Sequence, residues 1–230
     1  MAETGSEFAQ TADNTVTDNF MAHTMKSMLL AGVMSLALFS MFADAQELEA
    51  VQLYTQDELL KLIKTNSHLK QVKADDCQLV QDIEARADIM KLPAYQFLYG
   101  DMLAYGVCVP RNVERGWDLM LQAAGQGLPE GLEQVGRYYH IGRFVQQDYH
   151  KAIVYLREAS AVGNQKAQIR LAEMLIAGHG SPVDFEQSYR WLHHTVTADP
   201  ATHKKIQQLL SQLAQKMPPK VVANASRPVR

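Results

Sequence analysis

Three stretches of the sequence superimpose at a fixed spacing of 36 residues, and this repeat constrains the fold more than any other feature. A hydrophobic residue, a small residue and a glycine recur in the same order in each stretch. The stretches begin at Tyr99-Gly100, Val135-Gly136 and Leu171-Ala172 and end at Gly106, Gly142 and Gly178. A period of about 34 to 40 residues with helical spacing is typical of stacked helical hairpins. We therefore predict an all-α fold, an α-solenoid of helical hairpins.

Each unit should consist of two helices joined by a tight turn. A small residue, Gly136 in the middle unit, is expected to let the first helix approach the second closely. Gly142 should end that first helix, because the left-handed conformation at a helix C-terminus favours glycine. Asp148 and Asp184 follow in the middle and last units. Their carboxylates are expected to accept the free amide hydrogens at the start of the second helices.

The middle unit resembles the Sel1-like repeat, a relative of the tetratricopeptide repeat. The outer units depart from that pattern, since Asn112 stands where the unit has an Asp and Gly116 where the second helix has an Ala. Atypical outer units are typical of capping repeats. The residues of the middle unit that match are Gly136, Tyr139, Gly142, Val145, Asp148, Ala152, Tyr155, Ala159 and Gly163.

The sequence before the repeats has the composition of an export signal. Met25-Lys26 precedes an apolar run from Met28 to Ala43, and Ala43-Asp44-Ala45 forms a small-x-small site for signal peptidase. We expect cleavage after Ala45. The alternative is a membrane anchor, but the apolar run is shorter than the roughly 20 residues that a spanning helix needs.

These signals divide the chain into six segments. They are an upstream extension at 1–24, a signal peptide at 25–45, a helical lead-in at 46–93, three repeats at 94–200, a capping helix at 201–217 and a disordered tail at 218–230. The tail is predicted from its three prolines and its basic residues without any acid.

Both cysteines lie in the part that would be exported. Because their number is even and the destination is oxidising, we predict a Cys77–Cys108 disulfide. The alternative is two buried free thiols. A catalytic thiol is disfavoured, because no activating histidine or CxxC motif lies nearby in the sequence.

The sequence offers little that resembles a catalytic or nucleic-acid-binding site. Acidic and basic residues nearly balance once residues 1–45 are set aside, which gives no electrostatic signature for nucleic acid. The adjacent His193 and His194 would diverge by about 100° on a helix and do not form a metal site. The segment from Ser67 to Lys70 matches a Ser-x-x-Lys motif in letters alone, outside the repeats. We therefore predict no enzyme, no cofactor and no small-molecule substrate.

Helical-hairpin arrays usually present a concave face lined by their first helices. Positions between the packing residues are expected to point outwards there and to suit a peptide or helix, although an ordinary solvated face is an open alternative. The predicted partner-binding residues are Phe97, Asp101, Glu133, Arg137, His140, Ile169, Glu173 and Ile176.

A longer resemblance narrows the function. From about Val51 to about Met217 the chain is similar to the family of periplasmic Sel1-repeat components of sodium-driven polar flagellar motors. The residues that carry it are Lys73 to Glu84, Tyr95 to Leu98, Gly142 to Val145 and Gly180 to Glu186. The resemblance implies a T-ring component of the flagellar basal body that binds MotY and helps to hold the stator protein PomB with PomA. A generic periplasmic Sel1-repeat adaptor in envelope assembly is the alternative.

Overall fold

A computed structural model describes residues 53–228. The predicted upstream extension and signal peptide lie outside the described residues. Eleven helices form the described part of the chain, which contains no strand. The helices are α1 (Gln56–Lys64), α2 (His68–Ala74), α3 (Val80–Asp88), α4 (Pro93–Tyr105), α5 (Val113–Gly125), α6 (Pro129–Ile141), α7 (Tyr149–Ala161), α8 (Gln165–Ile176), α9 (Val183–His193), α10 (Pro200–Gln215) and α11 (Pro219–Ala225).

The three predicted hairpins are present as α4–α5, α6–α7 and α8–α9, and successive hairpins pack on one another. Gly136 lies where α6 crosses α7, and a Cβ added there would stand 2.8 Å from Cγ of Leu156. The predicted role of Gly136 in close helix packing is therefore confirmed. Gly142 ends α6 with a φ of 67°, a left-handed conformation that other residues rarely adopt.

Side chains cap the start of two of the three second helices. Asn112 and Asp148 accept hydrogen bonds from the backbone N–H groups of Arg115 and Lys151, at 3.1 and 2.9 Å. Asp184 does not cap a helix, and that prediction is wrong. Helix α9 begins at Val183, two residues before the start that a cap at Asp184 would give, so Asp184 lies inside the first turn. Its carboxylate pairs with Arg157 at 3.3 Å instead.

The lead-in helices α1, α2 and α3 all pack against α4. Their apolar residues form one core with the first hairpin, and that core includes Leu59, Ile83 and Phe97. A disulfide between Cys77 and Cys108 joins the turn before α3 to the turn after α4, across 31 residues of sequence. The predicted pairing is thus present, and it ties the lead-in to the first hairpin.

The second core joins the other two hairpins to the C-terminal helices. Leu156, Leu171 and Leu192 lie at its centre, and Leu213 contributes from α10. The prediction of a disordered tail at 218–230 is wrong for residues 219–225. These residues form α11, which packs against α9. Ala225 is fully buried there, and the backbone carbonyl of Asn224 accepts a hydrogen bond from Arg190. Prolines at the helix start are compatible with α11, because the first turn needs no N–H donor.

Candidate functional site: the groove along the first helices

Helices α4, α6 and α8 line one face of the array, and this face is not uniformly exposed. Three of the residues predicted to point outwards are buried: Phe97 and Asp101 on α4, and Glu133 on α6, with 3%, 2% and 7% of their surface exposed. The prediction of their exposure is wrong, because the lead-in packs over Phe97 and Asp101 on α4 and Arg170 of the next hairpin pairs with Glu133. Phe97 belongs to the core that α4 shares with the lead-in.

Asp101 is the centre of a buried polar network. Nε2 of His68, on α2, lies 2.8 Å from Oδ2 of Asp101, and Nε2 of Gln134 donates to Oδ1 at 3.4 Å. Gln134 also donates to the Tyr138 hydroxyl, which lies 2.7 Å from the hydroxyl of Tyr105. The network connects the lead-in, the first hairpin and the second hairpin.

Burial and the network keep Tyr138 protonated. Burial, followed by the nearby charge of Asp101 and the hydrogen bond with Tyr105, raises the pKa of Tyr138 far above its ordinary value. Its hydroxyl therefore remains a neutral donor and acceptor across physiological pH. The network thus links three parts of the chain through hydrogen bonds without adding a group that titrates near neutral pH at Tyr138.

His68 and Asp101 resemble two members of a hydrolytic triad, but the third is missing. Nδ1 of His68 is buried and has no hydrogen-bond partner among residues 53–228. The neighbouring Ser67 hydroxyl bonds to the Leu62 carbonyl and to Thr65. Nucleophilic catalysis by this pair would need a hydroxyl or thiol within reach of the free nitrogen, and the described residues supply none.

The middle of the groove carries an ion pair between adjacent hairpins. Nε of Arg170, on α8, lies 3.5 Å from Oε1 of Glu133. Arg137, one turn beyond Glu133 on α6, donates to the side-chain carbonyl of Gln134. Its guanidinium carbon lies 4.5 Å from the centre of the Tyr138 ring. Arg137 is thus half-buried and held in place by two contacts, and its predicted role in partner binding stays a prediction.

The remaining predicted residues lie towards the C-terminal side of the first helices. Ile169 and Ile176 are half-buried and pack against the second core. Glu173 is paired with Lys205 of α10 at 2.6 Å. The C-terminal helices therefore occupy part of the face that the third hairpin was predicted to offer to a partner.

His140, at the end of α6, lies against Tyr149, whose ring stacks on that of His179 at 3.9 Å. Burial lowers the pKa of His140, and the positive charges of Arg170 and His179 lower it further, while Glu173 opposes them. Nδ1 of His140 is buried without a hydrogen-bond partner in the described part of the chain. His140 is therefore better suited to packing than to meeting a partner as a cation.

Two connected cavities follow the groove. The first, which we call the amide cavity, measures about 1100 Å³ and lies where α6, α8 and α9 meet. The second, which we call the basic cavity, measures about 560 Å³ and lies between the lead-in and α4, α6 and α8. Asn66, Glu133, Gln134 and Lys166 line both cavities, so the two form one continuous groove.

The sequence patterns missed several residues of this groove. Arg143 and Lys166 line the basic cavity, and Trp191 lines the amide cavity. The prediction of partner-binding residues considered only positions between the packing residues of the first helices. None of these three residues lies at such a position. The turn containing Arg143 stood out in the sequence only as part of a family resemblance.

Among residues 53–228, no group of three or more His, Cys, Asp or Glu side chains could hold a metal ion. The described helices also include none that is both long and apolar enough to cross a membrane.

Comparison with known proteins identifies the repeats. A family model described as the Sel1 repeat matches three consecutive segments, residues 93–128, 129–164 and 165–193. These segments coincide with the three hairpins α4–α5, α6–α7 and α8–α9. The repeat interpretation of the sequence is confirmed.

Two relatives and one solved structure are similar to this chain. The sodium-type polar flagellar protein MotX of Vibrio parahaemolyticus is 52% identical over 177 residues, which cover 77% of this chain and 84% of that protein. An exopolysaccharide production negative regulator of Rhizobium meliloti is 32% identical over 107 residues, or 40% of each chain. A Sel1 repeat protein from Oxalobacter formigenes aligns with a TM-score of 0.49 and 21% identity, covering 56% of this chain and 97% of that one.

Proposed function

This chain belongs to the family of Sel1-repeat proteins that includes the sodium-type polar flagellar protein MotX, and on that premise we propose that it is a component of a sodium-driven polar flagellar motor. The proposal extends to a non-enzymatic T-ring component in the periplasm. There it binds MotY and helps to anchor the PomA/PomB stator for torque generation.

One observation supports this proposal most strongly. The similarity to MotX covers more residues than the three repeats contain, so it does not reflect the repeat pattern alone. The repeat pattern accounts only for similarity within residues 93–193, whereas this similarity extends beyond them. The disulfide-linked lead-in lies outside the three matched repeats.

The structure offers this motor component surfaces for protein partners. The basic cavity and the amide cavity share lining residues and together form a groove, and stacked helical hairpins commonly bind partners on such a face. The predicted residue Arg137 lies in this groove, half-buried and oriented.

The test is deletion of the gene in the bacterium that carries it. We expect filaments to assemble and to stop turning, because stator units lose their anchorage while filament export continues. Swimming speed, filament number by microscopy and stator positions by fluorescence would be measured together. A plasmid copy should restore rotation, which provides the control for effects on neighbouring genes.

Two outcomes would contradict the proposal. Normal swimming in the deletion strain would exclude a motor role. Loss of motility together with loss of the filaments would point to flagellar assembly instead of torque generation.

A generic periplasmic adaptor in envelope assembly is the second candidate. Its support is the similarity to the Rhizobium meliloti regulator, which extends over only 40% of either chain. Normal swimming combined with altered surface polysaccharide in the deletion strain would favour this candidate.

A further inference from the structure

We propose that the basic cavity binds carboxylate side chains of an extended acidic segment of a partner protein. This inference rests on the proposed function only in assuming that the groove receives a protein. It adds the chemistry of that protein's contact segment, together with Arg143 and Lys166 as contact residues beside Arg137.

The charges of the cavity are the first argument. Four cations line it: Arg137, Arg143, Lys166 and Arg170. The two acids that line it are already engaged and at least nine-tenths buried, Asp101 with His68 and Glu133 with Arg170. Arg170 is the only one of the four cations with a carboxylate oxygen within 4.0 Å among residues 53–228.

The remaining three cations are therefore uncompensated in the described part of the chain. Nζ of Lys166 donates to the backbone carbonyl of Lys64 at 2.8 Å, which holds the charge at the edge of the cavity without neutralising it. Positive charges gathered on a partly enclosed surface attract an anionic group and increase its rate of encounter.

The orientation of the two arginines is the second argument. The guanidinium of Arg137 lies over the Tyr138 ring, and that of Arg143 lies 4.9 Å from the centre of the Tyr105 ring. These two tyrosines are joined by the 2.7 Å bond between their hydroxyls. A guanidinium held against an aromatic face still presents the N–H groups at its edge. Those N–H groups match the two oxygens of a carboxylate. Because the arginine side chain is already held in place, it loses less conformational entropy on binding than a freely rotating arginine would.

The shape of the groove is the argument for a peptide over a small anion. The basic cavity opens into the larger amide cavity, whose lining includes the side chains of Gln165, Gln187 and Trp191. Side-chain amides both donate and accept hydrogen bonds and can therefore pair with the backbone of an extended segment. A free anion would fill only the basic cavity and leave this continuation unused.

Binding of a defined peptide to the purified, oxidised protein tests the inference. The probe is a short fluorescein-labelled peptide of serine and glycine that carries adjacent glutamates, and its control carries glutamines instead. We expect fluorescence anisotropy to report binding of the glutamate peptide alone, weakened by added salt because exposed charges are screened. The Arg143→Gln variant should reduce its affinity about tenfold.

Matched variants distinguish binding in the basic cavity from general electrostatic attraction between the peptide and the protein. Arg157→Gln removes a half-exposed arginine that pairs with Asp184 and lines neither cavity, so it should leave the affinity unchanged. Arg143→Lys keeps the positive charge but removes the planar guanidinium with its paired N–H donors. Its affinity for the glutamate peptide should therefore lie between those of the wild type and Arg143→Gln. Arg143 is exposed, so equal melting temperatures are expected for these variants and show that the fold is intact.

Several results would overturn the inference. The first two are binding of the glutamine peptide as tight as that of the glutamate peptide, and a loss of affinity in Arg157→Gln as large as that in Arg143→Gln. The other two are displacement of the peptide by inorganic phosphate at matched ionic strength, and binding of the protein to anionic lipid vesicles without binding to the peptide. None of these measurements depends on motility. A deletion strain that swims normally would therefore reject the proposed motor role and leave the peptide result to be judged by itself.

Discussion

Gly100 on α4 and Gly116 on α5 lie so close that neither position has room for a side chain. A Cβ added to Gly100 would stand 2.8 Å from the carbonyl oxygen of Gly116, and a Cβ added to Gly116 would stand 2.6 Å from that of Gly100. In the sequence, Gly116 looked like a departure from the repeat pattern. It is instead the partner of Gly100 in a closer helix contact.

Gly116→Ala should therefore destabilise the protein by about 1 to 3 kcal/mol, because the atom it meets is backbone and cannot rotate away. Gly125→Ala, at the end of the same helix, is the matched control, since nothing lies within 4 Å of the added Cβ. Chemical denaturation of both variants measures the difference. Equal midpoints would show that α4 and α5 are farther apart than described.

Gly136→Val should also lower the melting temperature of the whole domain. The added side chain meets the Leu156 side chain first and the carbonyl oxygen of Ala152 at 3.2 Å. Because repeats are coupled to their neighbours, the disturbance should spread from the middle hairpin. Gly136→Ala should cost less than Gly116→Ala, since the Leu156 side chain can shift and a backbone carbonyl cannot. An unchanged melting curve for Gly136→Val would contradict the contact.

Cys77→Ser should lower the free energy of unfolding by about 3 to 4 kcal/mol, the value expected from loop closure across the 31-residue separation. It should also leave Cys108 available to an alkylating reagent. Mass spectrometry after alkylation checks the thiol, and denaturation of the oxidised and reduced wild-type protein is the control. Two alkylatable thiols in the protein isolated from cells would show that the bond does not form there.

Ala225→Asp should detach α11 from α9, because an unpaired carboxylate cannot remain at that buried position. We expect a loss of about 1 to 3 kcal/mol in stability. Ala223→Asp is the matched control, since Ala223 is exposed on the same helix. Hydrogen exchange of residues 219–225 would report the detachment directly, and rapid exchange in the wild-type protein would argue against a packed α11.

His140 should make the protein less stable in mild acid. Its pKa is lowered in the folded state, by burial first and by Arg170 and His179 next. The unfolded chain therefore binds the proton more readily. The stabilisation is complete above the unfolded pKa of about 6.5 and is lost as the pH falls towards the lower folded value.

His140→Gln cannot titrate, so its melting temperature should fall less than that of the wild type between neutral pH and mild acid. The measurement is the difference between the two melting temperatures at each pH, which cancels contributions from the other histidines and carboxylates. If the melting temperatures of the two proteins fell in parallel with pH, His140 would not change its proton affinity on folding.

Much of the fold could be predicted because its signals are local. A small residue at a helix crossing, a glycine that ends a helix and an asparagine or aspartate that caps the next one each act within a few residues, and Gly136, Gly142 and Asp148 behaved as predicted. Asp184 did not, because α9 starts after Pro182, two residues earlier than a cap at Asp184 would give. Local signals specify which elements form, and their boundaries depend on competition between neighbouring residues.

The candidate site was less predictable, because exposure is decided by whatever packs across a helix. The sequence by itself determined the repeat, the hairpins and the family. Only the tertiary structure placed the lead-in over Phe97 and Asp101, and only it brought Arg137, Arg143 and Lys166 to one cavity. Helical periodicity relates residues on a single helix, whereas contacts between His68 and Asp101, 33 residues apart, depend on how helices stack.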